Sequence, residues 1–160
     1  MTIKVGDKVP SVTLRNMTAE GVKEVTPDEL FGGKKVVLFA VPGAYTRTCS
    51  MRHLPSYVGN AAALKAKGVD TIACLAVNDA FVMDAWGKEH QAGGKVVMLG
   101  DGNAEFTKAM GLELDRIKEG MGIRSQRYAM LVENGVVKAL EVEKPGEYAV
   151  SSAEAILEKL

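Results

Sequence analysis

The sequence predicts an α/β domain, in which a central mixed β-sheet is flanked by helices. Three short segments combine β-branched residues with little polar alternation, as strands buried on both faces do; they are KKVVLFAV (34–41), VDTIACLAV (69–77) and KVVMLG (95–100). The segments between them carry helix caps, so we expect crossover helices. Near the end of the chain, Asn134-Gly135 gives a strong two-residue hairpin signal.

The remaining elements follow in order. VPSVTLRNM (9–17) and GVKEVT (21–26) predict a hairpin, and Thr26 with Pro27 caps the short helix after it. The segments 51–68 and 78–94 supply the two crossover helices, and 103–111 supplies a short one. SSAEAILEKL (151–160) is a capped amphipathic helix that closes the chain. This order predicts a thioredoxin-like sandwich with an N-terminal β-hairpin extension, as a single domain over residues 1–160.

Composition excludes several classes of partner. The chain has 160 residues, of which 20 are basic and 20 acidic, so no net charge favours nucleic acid or a membrane surface. The start of the chain lacks the apolar core of a signal peptide, and nowhere do eighteen apolar residues run together. We therefore expect a cytoplasmic protein whose partner is a small molecule or another protein.

The two cysteines, Cys49 and Cys74, are too few for a disulfide scaffold. The two histidines, His53 and His90, have no metal-ligand spacing, so we expect no metal. The turn GDGNAEF (100–106) lacks the third glycine of a dinucleotide fingerprint, and no bound cofactor is predicted.

Cys49 is the candidate reactive residue. It follows the first buried strand in PGAYTRTCS (42–50), where we expect a helix to begin near Thr48, and helix N-termini stabilise thiolates. The alternative is a buried cysteine that packs as a small hydrophobic residue. Because its sequence neighbours are polar, we expect Cys49 to be accessible and partly ionised. Thr46 stands where a dithiol oxidoreductase would carry a second cysteine, which argues against intramolecular disulfide exchange.

The segment VPGAYTRTCSMRHLPSY (41–57) resembles the P-G-A-F-T-P-T-C-S…H-L-P-x-[YF] pattern of type II peroxiredoxins, the peroxiredoxin-five-like thiol peroxidases. VNDAFVMDAW, GLELD, GIRSQRYAMLVENGVV and SSAEAIL resemble that family's later segments in the same order. One departure is Arg47, where members of the family usually have proline; it is either a solvated helix-start residue or a cation that affects the thiol or its docking partner.

The resemblance implies a role for each residue of the motif. Cys49 is then the peroxidatic cysteine, Pro42 shields it from solvent, Thr46 orients the peroxide, and Arg127 donates hydrogen bonds. The spacing R-S-x-R-Y selects Arg127 over Arg124, although an arginine that opens a strand is also consistent with an exposed surface ion pair. The product would be a Cys49 sulfenic acid.

The resemblance does not decide which thiol reduces the Cys49 sulfenic acid. Cys74 lies in the middle of a predicted strand, on the order of 10 Å from the sheet edge, and a disulfide needs Cα atoms within about 7 Å. We therefore expect Cys74 to be a packed core residue; the alternative is that it acts as the resolving cysteine. The reductant is then an external thiol, either glutaredoxin with glutathione or thioredoxin, and a homodimer is implied.

The sequence leaves open an alternative function and the role of His53. A peroxide-sensing protein that forms mixed disulfides with partners is the alternative function. His53, four residues after Cys49, is either a base or cation for the sulfur or a histidine packed at an interface.

Overall fold

The computed structural model describes all 160 residues and has a seven-stranded sheet with the strand order β2-β1-β5-β4-β3-β8-β9, while β6 and β7 form a separate two-stranded sheet. The strands are β1 Leu14–Thr18, β2 Gly21–Val25, β3 Lys35–Ala40, β4 Thr71–Ala76, β5 Val97–Gly100, β6 Glu113–Arg116, β7 Gly122–Ser125, β8 Tyr128–Glu133 and β9 Val136–Val142. The helices are α1 Pro27–Phe31, a π-helical turn Cys49–His53, α2 Leu54–Gly59, α3 Ala61–Ala66, α4 Ala80–Glu89, α5 Glu105–Met110 and α6 Ala153–Leu157.

The three predicted central strands form the middle of a mixed sheet, as the sequence predicts. β3, β4 and β5 are parallel, and β8 joins β3 antiparallel, so the sheet is mixed. Asn134 and Gly135 have φ angles of 47° and 78°, as the tight turn between β8 and β9 requires. The thioredoxin-like α/β architecture predicted from the sequence is confirmed.

The N-terminal hairpin belongs to the central sheet. β1 pairs antiparallel with β2, as predicted, and it also pairs with β5 through Arg15 and Gly100. The hairpin therefore extends the sheet at one edge. The predicted cap Thr26 forms, and of the two cap candidates Asn78 and Asp79 that open the second crossover helix, Asp79 is the cap; the side chains of Thr26 and Asp79 each accept a hydrogen bond from the backbone N–H three residues later.

Two apolar clusters cover the two faces of the sheet. Alternation along β3 sends Val37 and Phe39 into a cluster of 21 buried residues, which also holds Cys49 and Cys74. Val36 and Leu38 enter a cluster of 17 residues on the other face. Burial on both faces explains why β3 reads as a continuous apolar segment.

Two features were not predicted. The hairpin of β6 and β7 comes from a polar segment with few β-branched residues, and its strands pair only with each other. The π-helical turn has no propensity signal, because it differs from an α-helix by one hydrogen-bond register. None of the helices combines the length and apolar character needed to cross a membrane.

Candidate active site

The C-terminal end of β3 positions Cys49. After the strand, the N–H of Val41 donates to Leu75 O, and the chain then turns through Tyr45, which has a positive φ of 64°. The π-helical turn begins at Cys49 and closes when the N–H of Leu54 donates to Cys49 O. Turns of this kind are rare and frequent at functional sites. This one buries both Cys49 and His53 on the inner side of the helix.

Two side chains place hydrogen-bond donors beside the Cys49 sulfur. Thr46 Oγ1 lies 2.8 Å from Sγ, and a terminal guanidinium nitrogen of Arg127 lies 3.0 Å from it. Thr46 Oγ1 is also 2.7 Å from Gly43 O. Since a hydroxyl carries one proton, Thr46 can donate either to the sulfur or to this carbonyl, and the choice can change as the sulfur changes its charge.

The expectation that Cys49 is accessible is wrong. Its exposed fraction is 0%, and it packs in the same cluster as Phe39. Of its polar sequence neighbours, Tyr45, which is 50% exposed, and Arg47 lie on the outer side of the turn, whereas Thr46 faces the sulfur. Polar residues beside Cys49 in the sequence therefore did not show that the sulfur itself is exposed to solvent.

Arg127 directly precedes β8 and lies on the Cys49 side of the sheet. The next residues on that face, Ala129 and Leu131, belong to the same cluster as Cys49, as strand alternation predicts. Arg127 makes no surface ion pair. Arg124, its neighbour in the motif, instead donates to Met121 O at 2.8 Å. The structure thus brings Arg127, and not Arg124, to the sulfur.

His53 supports Arg127 and does not contact the sulfur. Its Nδ1 lies 2.8 Å from the second terminal nitrogen of Arg127, and its Nε2 lies 2.9 Å from Ser151 O. Burial, followed by the Arg127 charge, lowers the pKa of His53 from 6.5 to about 3. The ring is therefore neutral at physiological pH: Nδ1 accepts from Arg127 and Nε2 donates to Ser151. Of the two interpretations of the sequence, the structure favours the packed histidine.

Pro42 lies at the mouth of the site. A cleft of about 130 Å³ is bordered by Pro42, Thr48 and Arg127, so its wall includes a residue that touches the sulfur. The Pro42 carbonyl oxygen accepts a hydrogen bond of 3.4 Å from Arg124. A Cβ at Gly43 would lie 2.7 Å from the Arg124 guanidinium, so a larger residue here would displace the Arg124 side chain from the Pro42 carbonyl.

Cys74 lies in the middle of β4, paired with Phe39 on one side and Met98 on the other. Its exposed fraction is 0%, and it is a free thiol in the same cluster as Cys49. Burial raises the pKa of Cys74 well above its ordinary value, and proximity to Cys49 raises it further. Cys74 is a packed core residue in this structure. Across the chain, no three His, Cys, Asp or Glu side chains lie close enough together to hold a metal ion.

Comparison with known proteins identifies the family. The Redoxin family model matches residues 4–157. The chain is 51% identical to peroxiredoxin-2E, chloroplastic, of Arabidopsis thaliana, over 99% of this chain and 70% of that protein. It is 48% identical to peroxiredoxin-2D of the same plant, over 99% of this chain and 98% of that protein.

A solved structure has the same architecture. The crystal structure of reduced Prx3 in complex with hydrogen peroxide, from Vibrio vulnificus, superposes with a TM-score of 0.95 at 55% identity, covering 99% of both chains. Together with a cysteine sulfur held by a threonine and an arginine, these matches leave one assignment: the chain belongs to the Redoxin family and is a peroxiredoxin of the type II, peroxiredoxin-five-like group.

Proposed function

We propose that this peroxidase reduces hydrogen peroxide and small alkyl hydroperoxides through a sulfenic acid on Cys49. The observation that carries the proposal is the placement of two hydrogen-bond donors within 3.0 Å of the Cys49 sulfur. The thiolate attacks one peroxide oxygen, the O–O bond breaks, and the leaving oxygen takes a proton to become water or an alcohol. Sulfur is oxidised from thiolate to sulfenic acid, and the peroxide is reduced.

Arg127 and Thr46 are proposed to stabilise this reaction. Hydroxide and alkoxide are poor leaving groups, so donors that face the departing oxygen lower the barrier. Arg127 has a fixed positive charge, and Thr46 can turn its hydroxyl from the sulfur toward Gly43 O or a bound oxygen. The Cys49 N–H is proposed as a third donor.

Pro42 and the buried position of Cys49 are proposed to limit access. The cleft of about 130 Å³ beside Pro42 suits a small hydroperoxide. A shielded sulfur also restricts entry of a second peroxide, which would take the sulfenic acid to sulfinic acid.

An external thiol is proposed to regenerate Cys49. One thiol condenses with the sulfenic acid to a mixed disulfide with loss of water, and a second thiol then releases Cys49. The position of Cys74 supports this route: it is fully buried in the middle of a strand, so it is poorly placed to form a disulfide with Cys49 itself. Glutaredoxin with glutathione and thioredoxin are the two proposed donors.

A cytoplasmic homodimer is proposed, with residues 1–160 as one domain. Two free thiols suit a reducing compartment.

The proposed dimer surface lies beside the active site. Tyr45, Met51 and Phe81 are large apolar residues with exposed fractions of 50%, 71% and 66%. Tyr45 and Met51 flank Cys49 in sequence. Phe81 lies at the start of α4, and the loop before that helix is joined to the Cys49 loop by a hydrogen bond from the Ala44 N–H to the Asn78 side chain. Such a patch suits a second copy of the chain; sedimentation of the native protein and of Phe81→Arg tests this, and a monomeric native protein would contradict it.

Rapid mixing of reduced protein with hydrogen peroxide tests the function. Trp86 is the only tryptophan, and its Nε1 donates to Ser50 Oγ at 2.9 Å, so its fluorescence should report oxidation of the adjacent Cys49. We expect fast oxidation, a sulfenic acid on Cys49 that a carbon nucleophile traps, and turnover with one of the two donors. Cys49→Ser should abolish all three signals. Fast oxidation without turnover by either donor would instead favour the peroxide sensor.

A further inference from the structure

Glu143 uses one carboxylate oxygen to hold the loop that follows β9. Oε2 accepts hydrogen bonds from the backbone N–H groups of Ala149 at 2.7 Å, Val150 at 2.9 Å and Ser151 at 2.9 Å, and from Ser151 Oγ at 2.7 Å. The residue is only 6% exposed. Burial opposes its ionisation, but these hydrogen bonds outweigh burial, and the pKa of Glu143 lies below its ordinary value. The carboxylate is therefore ionised when it holds the loop.

The other side of the same peptide segment faces the active site. Ser151 is fully buried, and its carbonyl oxygen accepts from His53 Nε2 at 2.9 Å and from Tyr57 Oη at 2.8 Å. The carboxylate thus fixes the acceptor that selects the tautomer of His53. With the proton on Nε2, the lone pair of Nδ1 is free to accept from Arg127.

The contacts form a closed ring. The backbone N–H of Glu143 donates to Arg127 O at 2.9 Å, so the two residues are already joined through the main chain. From Glu143 the side-chain contacts lead through Ser151 and His53 back to the Arg127 guanidinium. Because a guanidinium is planar and rigid, holding one terminal nitrogen on His53 orients the other toward Cys49.

We propose that Glu143 is a positioning residue for peroxide reduction, acting through Ser151 and His53 on the direction in which Arg127 donates. This inference rests on the proposed role of Arg127. Glu143 makes no hydrogen bond to the sulfur, and although it also borders the cleft beside Pro42, its Oε2 is taken up by the loop after β9. Its effect is to keep a neutral imidazole of one tautomer behind the guanidinium, so that the Arg127 donor is oriented before peroxide enters.

The test compares Glu143→Ala and Glu143→Gln with the matched control Glu141→Gln. Glu141 lies two residues earlier on β9 and its side chain pairs only with Lys159, so the control removes the same charge away from the ring. We expect the second-order rate constant with hydrogen peroxide to fall by about tenfold or more in Glu143→Ala, by less in Glu143→Gln, and by less than about twofold in Glu141→Gln. Alkylation of Cys49 by iodoacetamide depends on ionisation of the sulfur but needs no donor to a leaving oxygen, so its rate should fall much less than the peroxide rate constant.

Two measurements separate positioning from support of the loop. In a His53→Leu background, Glu143→Ala should cost less than about twofold, since the path to Arg127 is already broken. The ¹⁵N shifts of the His53 ring should report one neutral tautomer in the native protein and a mixture in Glu143→Ala. If Glu143→Ala does not fold, Glu143→Gln carries both measurements.

Three results would overturn the inference: an equal loss in the His53→Leu background, a parallel fall in peroxide and alkylation rates, or an unchanged tautomer with an unchanged peroxide rate. Failure of the proposed function would give a different result, because the native protein itself would then not react with peroxide. The tautomer measurement would still show whether Glu143 orders His53.

Discussion

Cys49 and Cys74 are both fully buried in the same apolar cluster, yet only the Cys49 sulfur has hydrogen-bond donors beside it. Cys49 lies in a turn where Thr46 and Arg127 donate to its sulfur. Cys74 lies in the middle of β4, where its sulfur makes no hydrogen bond and burial raises its pKa. Exposure therefore does not separate the two thiols; the donors around the sulfur do.

The two sites also differ in how their surroundings are held. The Cys49 site depends on side chains from the loop after β3, the residue before β8 and the loop after β9, which hydrogen bonds join together. The Cys74 site depends on strand pairing alone, with β3 and β5 on either side. The proposed function thus assigns the reaction to the thiol where loops converge, and a packing role to the thiol where the sheet is continuous.

Removing the Arg127 donor should have the largest effect. We expect Arg127→Gln to lower the second-order rate constant with hydrogen peroxide by about 10² to 10³, because a charged donor to the leaving oxygen is lost. Arg124→Gln is the comparison, since it removes an arginine of the same motif that does not contact the sulfur. Rapid mixing under identical conditions measures both. Equal losses in the two variants would mean that general loop structure, and not the donor, sets the rate.

The Thr46 hydroxyl should have the next largest effect. Thr46→Val keeps the shape of the side chain but removes the donor at 2.8 Å from Sγ, and we expect the peroxide rate constant to fall by about 10- to 100-fold. Thr46→Ser retains a hydroxyl and should recover most of the rate. A Thr46→Val protein as fast as the native one would reduce Thr46 to a structural role in the turn.

The sequence predicts which side chains surround Cys49, but not that the Cys49 sulfur is buried. The resemblance to type II peroxiredoxins selected Thr46 and Arg127 through the spacing of its motifs, whereas strand alternation by itself only placed Arg127 on one face with Ala129 and Leu131. The burial of Cys49 and the position of His53 depend on the π-helical turn. That turn is stabilised by tertiary packing and has no local signature. The central strands β3, β4 and β5 were predictable for the opposite reason, since strands buried on both faces require continuous apolar segments.

Glu143 was missed because its partners in the loop after β9 are mostly backbone N–H groups, which leave no mark on residue identity. The hairpin of β6 and β7 was missed for a related reason: its strands are polar and bury little, so neither composition nor alternation marks them.

Acid should weaken the Cys49 side of the molecule through His53. Its pKa is about 3 in the folded protein and 6.5 when unperturbed, so the unfolded chain takes up a proton that the folded chain does not. The stabilisation is complete well above pH 6.5 and is lost progressively as the pH falls toward 3. On this basis alone the free energy of unfolding should drop by about 2 kcal/mol between pH 7 and pH 5.

His53→Leu tests this contribution. Urea unfolding of the reduced native protein and of the variant at both pH values gives the difference in pH dependence. We expect a shallower dependence in the variant, since its unfolded state lacks this proton uptake. Identical slopes would place the acid sensitivity elsewhere, for example at Glu143, whose lowered pKa also makes folding less favourable once the pH falls through it.

The smallest expected effect on activity comes from the second thiol. Cys74→Ser should retain the peroxide rate constant within about twofold and should still turn over with an external donor, because Cys74 has no donor contact and no path to the surface in this structure. Its cost should appear in stability: a hydroxyl without a partner in the core lowers the free energy of unfolding by about 1–3 kcal/mol, and Cys74→Ala, which leaves only a small cavity, by about 1 kcal/mol. Loss of turnover in both variants, with the rate of Cys49 oxidation unchanged, would assign Cys74 a resolving role. It would also require β4 to open during the cycle, because a residue paired on both sides in the middle of a sheet cannot otherwise reach a sulfur in the turn after β3.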